Sequence, residues 1–426
     1  AASDVYKRQT YVGAVVLERL ERIGVRHADY PNLVRLNPNW PLKTRGNCAI
    51  AIRARIPEGT IKKAKETVLA VIRELAEIDC PSTNPGAAFY QGEVVPDRLK
   101  LFSKKVVQDI ASISEAEAVA EEVGAEVKKF RLGRGIIGAL AAIGATLESD
   151  RTFELVAYRA KENWGTRRRI DPESVVEMNT LTYPQTFDNV DPRTGEIRIT
   201  PHTPCPILYG IRAESGEAAL RAHRLVRSLE PIERVILYKT NQGTDQHIQQ
   251  LKIVQVRPLL SVAVEGVILE KPKVIPGGHV ILRMGDDTGE IYCAAYEPTR
   301  DFRSLVRRLH KGDTIRTYGG AKQKAGLPLT INLEKITVLK LARITRKVNP
   351  FCVGCGRRAR SEGRDKGYTC EKCKRMFPKD AATVLELERD VAPGEYEVPP
   401  RARRHLAKPL IRSRRSRSAS TQSLFE

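Results

Sequence analysis

Apolar residues recur at helical spacing near the start of the chain: Val12, Val15, Val16, Leu20 and Ile23 share one face, and Gly24 ends the run. A buried helix is predicted over 10–24. A short strand is predicted at 33–36, and Cys48, Ile50, Ile52, Ala54 and Ile56 alternate along a second strand at 48–56. The loop between them, 37–47, is rich in Pro and basic residues. Helices are predicted at 60–77 and 112–124, with a turn at 81–86, so residues 1–130 read as a mixed α/β unit.

From Gly133 a glycine-rich turn leads into an apolar helix at 136–147 and a strand at 153–159. After a long polar stretch come strand 207–212, helix 216–229 and strand 235–240, a split β-α-β pattern compatible with a ferredoxin-like domain. A boundary is placed near 250. Beyond it, strands at 262–269, 280–284 and 291–296, a helix with Phe302, Leu305, Val306 and Leu309 inward, and strands at 314–318 and 329–338 follow the order of an OB barrel. Pattern alone leaves another small barrel open.

Composition narrows the partner. Lys and Arg number 72 against 51 Asp and Glu, a net charge of +21 spread along 426 residues. That suits a polyanion. No apolar run of spanning length and no basic amphipathic helix with a bulky apolar face is present, so nucleic acid fits better than a membrane. The tail at 401–417 holds eight Lys or Arg and no acid, and turns into a Ser/Arg stretch expected to be disordered. Residues 1–9 carry no initiator Met and read as a truncation or junction.

Of the eight cysteines, four stand as Cys352-x-x-Cys355 and Cys370-x-x-Cys373. Two thiolate pairs on tight knuckles supply the sulfur set of a closed structural zinc site. A unit this small cannot bury a core of its own, so metal must contribute most of its folding free energy, on the order of 10 kcal/mol. Unrelated thiols or two disulfides are the alternative; scattered Cys48, Cys80, Cys205 and Cys293 fit a reducing cytoplasm better. Arg357, Arg358, Arg364 and Lys372 surround the knuckles at a density suited to phosphate contact, although a solvated basic face has the same composition.

Other motifs are more open. Gly133-Arg134-Gly135-Ile136-Ile137-Gly138 matches G-x-G-x-x-G at a helix start, which serves a phosphate or close helix packing equally. Lys43-Thr44-Arg45-Gly46-Asn47 is a donor-rich loop before a strand, fit for a triphosphate or merely solvated. Asp188, Asn189 and Asp191 lie in an acidic loop beside aromatic residues, where a small cation or ordinary Asx turns fit. Tyr209, Arg212, Glu214, Thr244 and Asp245 are further polar candidates.

Read together, RLNPNWPLKTRGN at 35–47, residues 83–86, GRGIIGALAAIG at 133–144, YPQTFDNVD at 183–191, TPCPILYGI at 203–211, the cysteine pairs and PPRARRHLAKPLIR at 399–412 resemble the archaeal isoleucine-tRNA agmatidine synthetase family. The resemblance implies an α+β multidomain chain: a kinase-like α/β domain at 1–130, a ferredoxin-like domain at 131–250, an OB-fold β-barrel at 251–345, a zinc ribbon at 346–385 and a basic tail at 386–426. It implies a cytoplasmic, ATP-dependent ligase joining agmatine to the wobble cytidine of the CAU-anticodon isoleucine tRNA, with ATP, magnesium and structural zinc as cofactors.

On that basis Lys43, Arg45 and Asn47 are expected to serve the activation step, Arg134, Gly135 and Gly138 to bind ATP, and Asp188, Asn189 and Asp191 to bind agmatine. Arg357, Arg358, Arg364, Lys372, Arg403 and Arg404 are expected to touch tRNA. The family's acidic DDTDS segment, a magnesium site, has no counterpart before Thr10, and Gln9 replaces a Thr, which predicts impaired activity. The competing reading is a non-catalytic tRNA-binding protein; a nicotinamide enzyme rests on the glycine motif alone. Oligomeric state is left unassigned.

Overall fold

The computed structural model describes residues 9–43, 46–78, 80, 83–203 and 205–414. Its first half is organised by a five-stranded sheet in the order Cys48–Ala51, Asn32–Arg35, Ile232–Thr240, Thr152–Arg159, Ile207–Ala213. Asn32–Arg35 runs parallel to Ile232–Thr240, pairing Asn32 with Lys239, so strands from before and after residue 130 share one sheet.

Period-2 alternation sends neighbouring residues to opposite faces. Leu33, Val156, Tyr158 and Tyr238 pack with Tyr11, Val15, Ala64 and Val71 of helices Gln9–Arg22 and Ile61–Leu75. On the other face Val34, Leu36 and Ala51 pack with helices Asp97–Gln108 and Gly135–Gly144. Further along that face, Leu155, Leu208 and Ile211 meet helices Pro172–Thr182 and Gly216–Leu225.

Helix Pro172–Thr182 lies in the stretch read from sequence as merely polar. It starts at an Asp171 cap, whose carboxylate accepts Glu173 N at 3.0 Å, and buries Val175 and Met178. Helix Asp97–Gln108 and the antiparallel pair Gly86–Phe89 with Glu126–Lys129 are further elements that the apolar pattern does not show. The strand expected at 48–56 breaks into Cys48–Ala51 and Ala54–Arg55, because Ala54 turns to pair with His27.

Strands Ser261–Ile268, His279–Gly285, Glu290–Ala295, Thr314–Lys322 and Thr330–Lys340 form a closed barrel, sealed where Val267 and Ile268 pair with Gly285 and Met284. Numbered along the chain, the strands run 1-2-3-5-4 around the barrel, with helix Asp301–Arg307 between the third and fourth. Val264, Leu282, Ile315 and Ile336 fill its core. Short strands Arg360–Ser361, Tyr368–Thr369 and Met376–Phe377 pair beside the turns that carry the cysteines. Strand Gly394–Glu397 then returns to the barrel, and residues 399–414 run back across the first half. The Ser/Arg stretch beyond 414 lies outside the described residues.

Candidate functional site

The two cysteine pairs sit on knuckles of one design. Cys352 N donates to Arg357 O at 2.7 Å and Gly356 N to Cys352 O at 2.8 Å; Cys370 N donates to Arg375 O at 2.9 Å and Lys374 N to Cys370 O at 2.8 Å. All four thiols are free, and their sulfurs lie within 4.8 Å of one another. That spread suits four bonds of about 2.3 Å to one tetrahedral zinc, and free thiols remove the disulfide alternative. Arg357, Arg358, Arg364 and Lys372 are all exposed around it. The Arg358 guanidinium lies 4.4 Å from the centre of the Phe351 ring, itself 57% exposed. An open ring among cations can stack on a base while its neighbours meet phosphates.

The glycine motif is explained first by packing. Gly135 lies against the Asn84-Pro85-Gly86 turn, its N–H donating to Asn84 O at 3.0 Å, and a Cβ on either Gly86 or Gly135 would collide with the other's backbone. Gly138 faces the sheet, where a Cβ would stand 3.1 Å from Leu36 Cδ1 and 3.3 Å from Ala49 Cβ. Of the residues expected at ATP, Arg134 alone offers a half-buried side chain there.

The loop at 37–47 is tied down at both ends. Asn47 Nδ2 donates to Asn37 O at 2.8 Å, and Leu36 N to Asn47 O at 2.8 Å. Asn39 Nδ2 reaches the barrel, donating to Leu260 O at 3.1 Å and Ser261 Oγ at 2.8 Å. Lys43, exposed near the tip, donates to Pro38 O. Lost water and then the neighbouring Arg404 and Lys322 hold its ammonium below its ordinary value. Arg45 lies outside the described residues. Arg35 is buried at the loop's root, donating to Glu154 Oε2 at 2.8 Å and Gln242 Oε1 at 3.1 Å.

In the acidic loop the three expected residues have different tasks. Asp188 accepts Arg403, with Arg212 at 3.7 Å from its other oxygen. Asn189 bridges to the Arg212 backbone in both directions, at 3.1 and 3.3 Å. Asp191 Oδ1 accepts Arg193 N at 3.0 Å and Thr194 N at 3.3 Å, whereas its buried Oδ2 makes no hydrogen bond among the described residues. Of the three, Asp191 therefore has an oxygen to offer a cation. Arg403 turns inward, 2.7 Å from Glu397 besides Asp188, and its side chain is 6% exposed. Its burial leaves it little to give RNA, unlike the ribbon arginines.

Three family models match in order: the TiaS TCKD domain over residues 3–132, the TiaS FLD domain over 133–247 and the TiaS C-terminal zinc ribbon domain over 349–391. The chain is 43% identical to the tRNA 2-agmatinylcytidine synthetase TiaS of Methanocaldococcus jannaschii over 94% of each chain.

The chain belongs to the TiaS family.

Among solved structures, TiaS with an isoleucine tRNA and ATP superposes with a TM-score of 0.86 at 42% identity, covering 95% of this chain and 93% of that one. TiaS with tRNA, AMPCPP and agmatine gives a TM-score of 0.84 at 39% identity, covering 95% and 94%. Against this TiaS frame, the motif reading had passed over the contacts that join the parts. Asn37 and Asn39 grip the barrel, and Arg35 pairs with Glu154 across the sheet. Glu214 and Asp245, flagged only as polar candidates, receive Arg412 and Lys408 from the C-terminal segment. A run of closely spaced cations at 401–412 with no acid inside it was the available signal that acids elsewhere must meet them.

Proposed function

We propose that this chain joins agmatine to C2 of the wobble cytidine in the CAU-anticodon isoleucine tRNA, using ATP, so that the tRNA decodes AUA. The observation that carries the reading is the 43% identity to a TiaS enzyme along 94% of both chains. Its units take a kinase-like domain, a ferredoxin-like domain and an OB fold in turn; the barrel's 1-2-3-5-4 strand order and its intervening helix support the last. The thiol usage fits a cytoplasmic site of action, and no described helix is long and apolar enough to cross a membrane.

The chemistry requires an activated C2 oxygen. Phosphoryl transfer from ATP to that oxygen makes it a leaving group and leaves ADP; the primary amine of agmatine then loses a proton and forms the C–N bond while the C–O bond breaks and the phosphate carries the oxygen away, and hydrolysis of the remaining anhydride takes the nucleotide on to AMP. Lys43, Arg45 and Asn47 are proposed to serve this step and Arg134, with Gly135 and Gly138 of the helix that follows it, to flank ATP, because cations stabilise a polyphosphate as charge shifts. Asp188, Asn189 and Asp191 are proposed as the agmatine wall. Asp191 Oδ2 takes the cation, while Asp188 and Asn189 hold the loop in shape.

Arg357, Arg358, Arg364 and Lys372 are proposed to grip tRNA, with Arg404 nearer the reaction. Magnesium finds no carboxylate cluster here: among the described residues the four cysteines are the one group of three or more metal-type ligands.

Release of AMP from labelled ATP tests the reading. Turnover is expected to need both agmatine and the isoleucine tRNA transcript. In the same assay Asp191→Asn, which keeps the Oδ1 acceptor, should raise the KM for agmatine about tenfold. Tight tRNA binding without any AMP release would leave a binding protein instead.

A further inference from the structure

Three parts of the chain meet around the loop at 37–47. Strand Thr314–Lys322 of the barrel approaches it at Gly320. A Cβ on Gly320 would strike Asn39 Oδ1 and stand 2.9 and 3.1 Å from the two Nη atoms of Arg404. Bare backbone at this position is what lets loop, barrel and C-terminal segment close together. Arg404 is fixed there, donating to Asn39 Oδ1 and lying 2.9 Å from Glu334 Oε1. Lys322, at the exposed end of the same strand, and Lys43, at the loop tip, flank it.

The charges in this junction do not balance. Lys43 lies in the field of Arg404 and Lys322, and Lys322 in that of Arg404 and Lys324, which Glu334 opposes. Glu334 is 5% exposed and engaged with Arg404. Like charges held this close cost free energy unless an anion joins them. Three arginines elsewhere differ: Arg159 meets Glu230, Arg389 meets Asp313, and Arg412 meets Asp150 and Glu214.

We propose that Lys322 of the barrel and Arg404 of the C-terminal segment complete, with Lys43, a single phosphate site built from three parts of the chain. The inference rests on the ligase reading and deepens it, since it brings the barrel to the anion. A phosphate oxyanion there comes from the nucleotide polyphosphate or from the RNA backbone. Either occupant draws the loop, the barrel and the tail together, so binding favours the closed arrangement of the three.

Lys322 is the residue to change, because its exposed side chain leaves the barrel core untouched. In the full-length protein Lys322→Ala should weaken binding of its ligand about threefold and Lys322→Glu about tenfold or more. ATP affinity without RNA, and tRNA affinity across a salt series without ATP, separate the sources. A loss confined to ATP assigns the polyphosphate. A loss confined to tRNA, with the salt slope reduced by about one, assigns the backbone.

Inorganic tripolyphosphate provides a probe independent of the enzyme reading. If the wild-type protein bound neither ATP nor tRNA, the functional reading would fall, yet tripolyphosphate binding lost in Lys322→Glu would uphold the anion site. Unchanged affinity for all three ligands in both variants overturns it.

Discussion

Asp313 gathers four donors at the foot of the barrel. His310 N and Ala342 N reach it at 2.8 and 2.9 Å, and the Arg389 guanidinium grips both oxygens at 2.9 and 2.7 Å. Burial by itself raises the carboxyl; the Arg389 hydrogen bonds and the two amides outweigh it and hold the group below its ordinary 3.8. A depressed carboxylate contributes stability above its unfolded value and loses it as pH falls through the folded one. Asp313→Asn should therefore cost about 2 kcal/mol at neutral pH, on the scale of hydrogen bonds to a charged group. The gap from wild type in urea unfolding should shrink as pH drops below about 4. A gap of constant size from pH 7 to pH 3 would contradict the assignment.

The zinc unit is the element in which sequence said most. Two C-x-x-C pairs name the ligands, the knuckles and the metal, since thiolate geometry leaves few alternatives. Its strands are two residues long, and Val353 and Met376 are 84% and 74% exposed, so apolar burial contributes little. Chelation with a strong zinc chelator, or Cys370→Ser, should unfold this unit while the barrel, whose core is its own, keeps its cooperative transition. Hydrogen exchange should show protection lost at Tyr368 and Thr369 but kept in Ser261–Ile268. Loss of protection in both would mean that the barrel depends on the ribbon.

Elsewhere legibility followed periodicity. The barrel strands alternate cleanly and were readable, whereas Pro172–Thr182 was not, because two buried apolar residues, Val175 and Met178, leave too weak a stripe. The glycine motif could not be decided from sequence. Only the position of Asn84 and Gly86 against Gly135 shows close packing as its first cause. The acidic loop was legible as a cluster, but the inward Arg403 that occupies Asp188 lies 215 residues away, beyond any local pattern.

At the scale of the whole molecule, the net charge of +21 includes an exposed part and an inward part that behave differently. The exposed part faces solvent on the ribbon. The inward part is the C-terminal segment, which works as a clasp. Arg412 donates to Glu214 Oε1 at 2.7 Å and Asp150 Oδ1 at 2.8 Å, and its guanidinium lies 5.7 Å from the centre of the Phe187 ring. Lys408 joins Asp150 at 2.8 Å, and Lys408 N donates to Asp245, which also accepts Lys335 of the barrel. The clasp therefore links the sheet of the first half to the barrel through half-buried carboxylates and the buried Arg412 and Lys335.

Removing Arg412 strands Glu214 and leaves Asp150 with Lys408 alone. Arg412→Ala leaves Asp150 and Glu214 without their shared guanidinium, at a cost of about 3 kcal/mol, far more than an exposed substitution such as Lys271→Ala. If the clasp couples the halves, the variant should unfold in two urea transitions where the wild type shows one, with the first-half sheet melting ahead of the barrel. A single transition shifted to lower urea would instead mean that the sheet and barrel are held together by the 37–47 loop and its Asn39 grip on Leu260 and Ser261, with Arg412 adding only local strength.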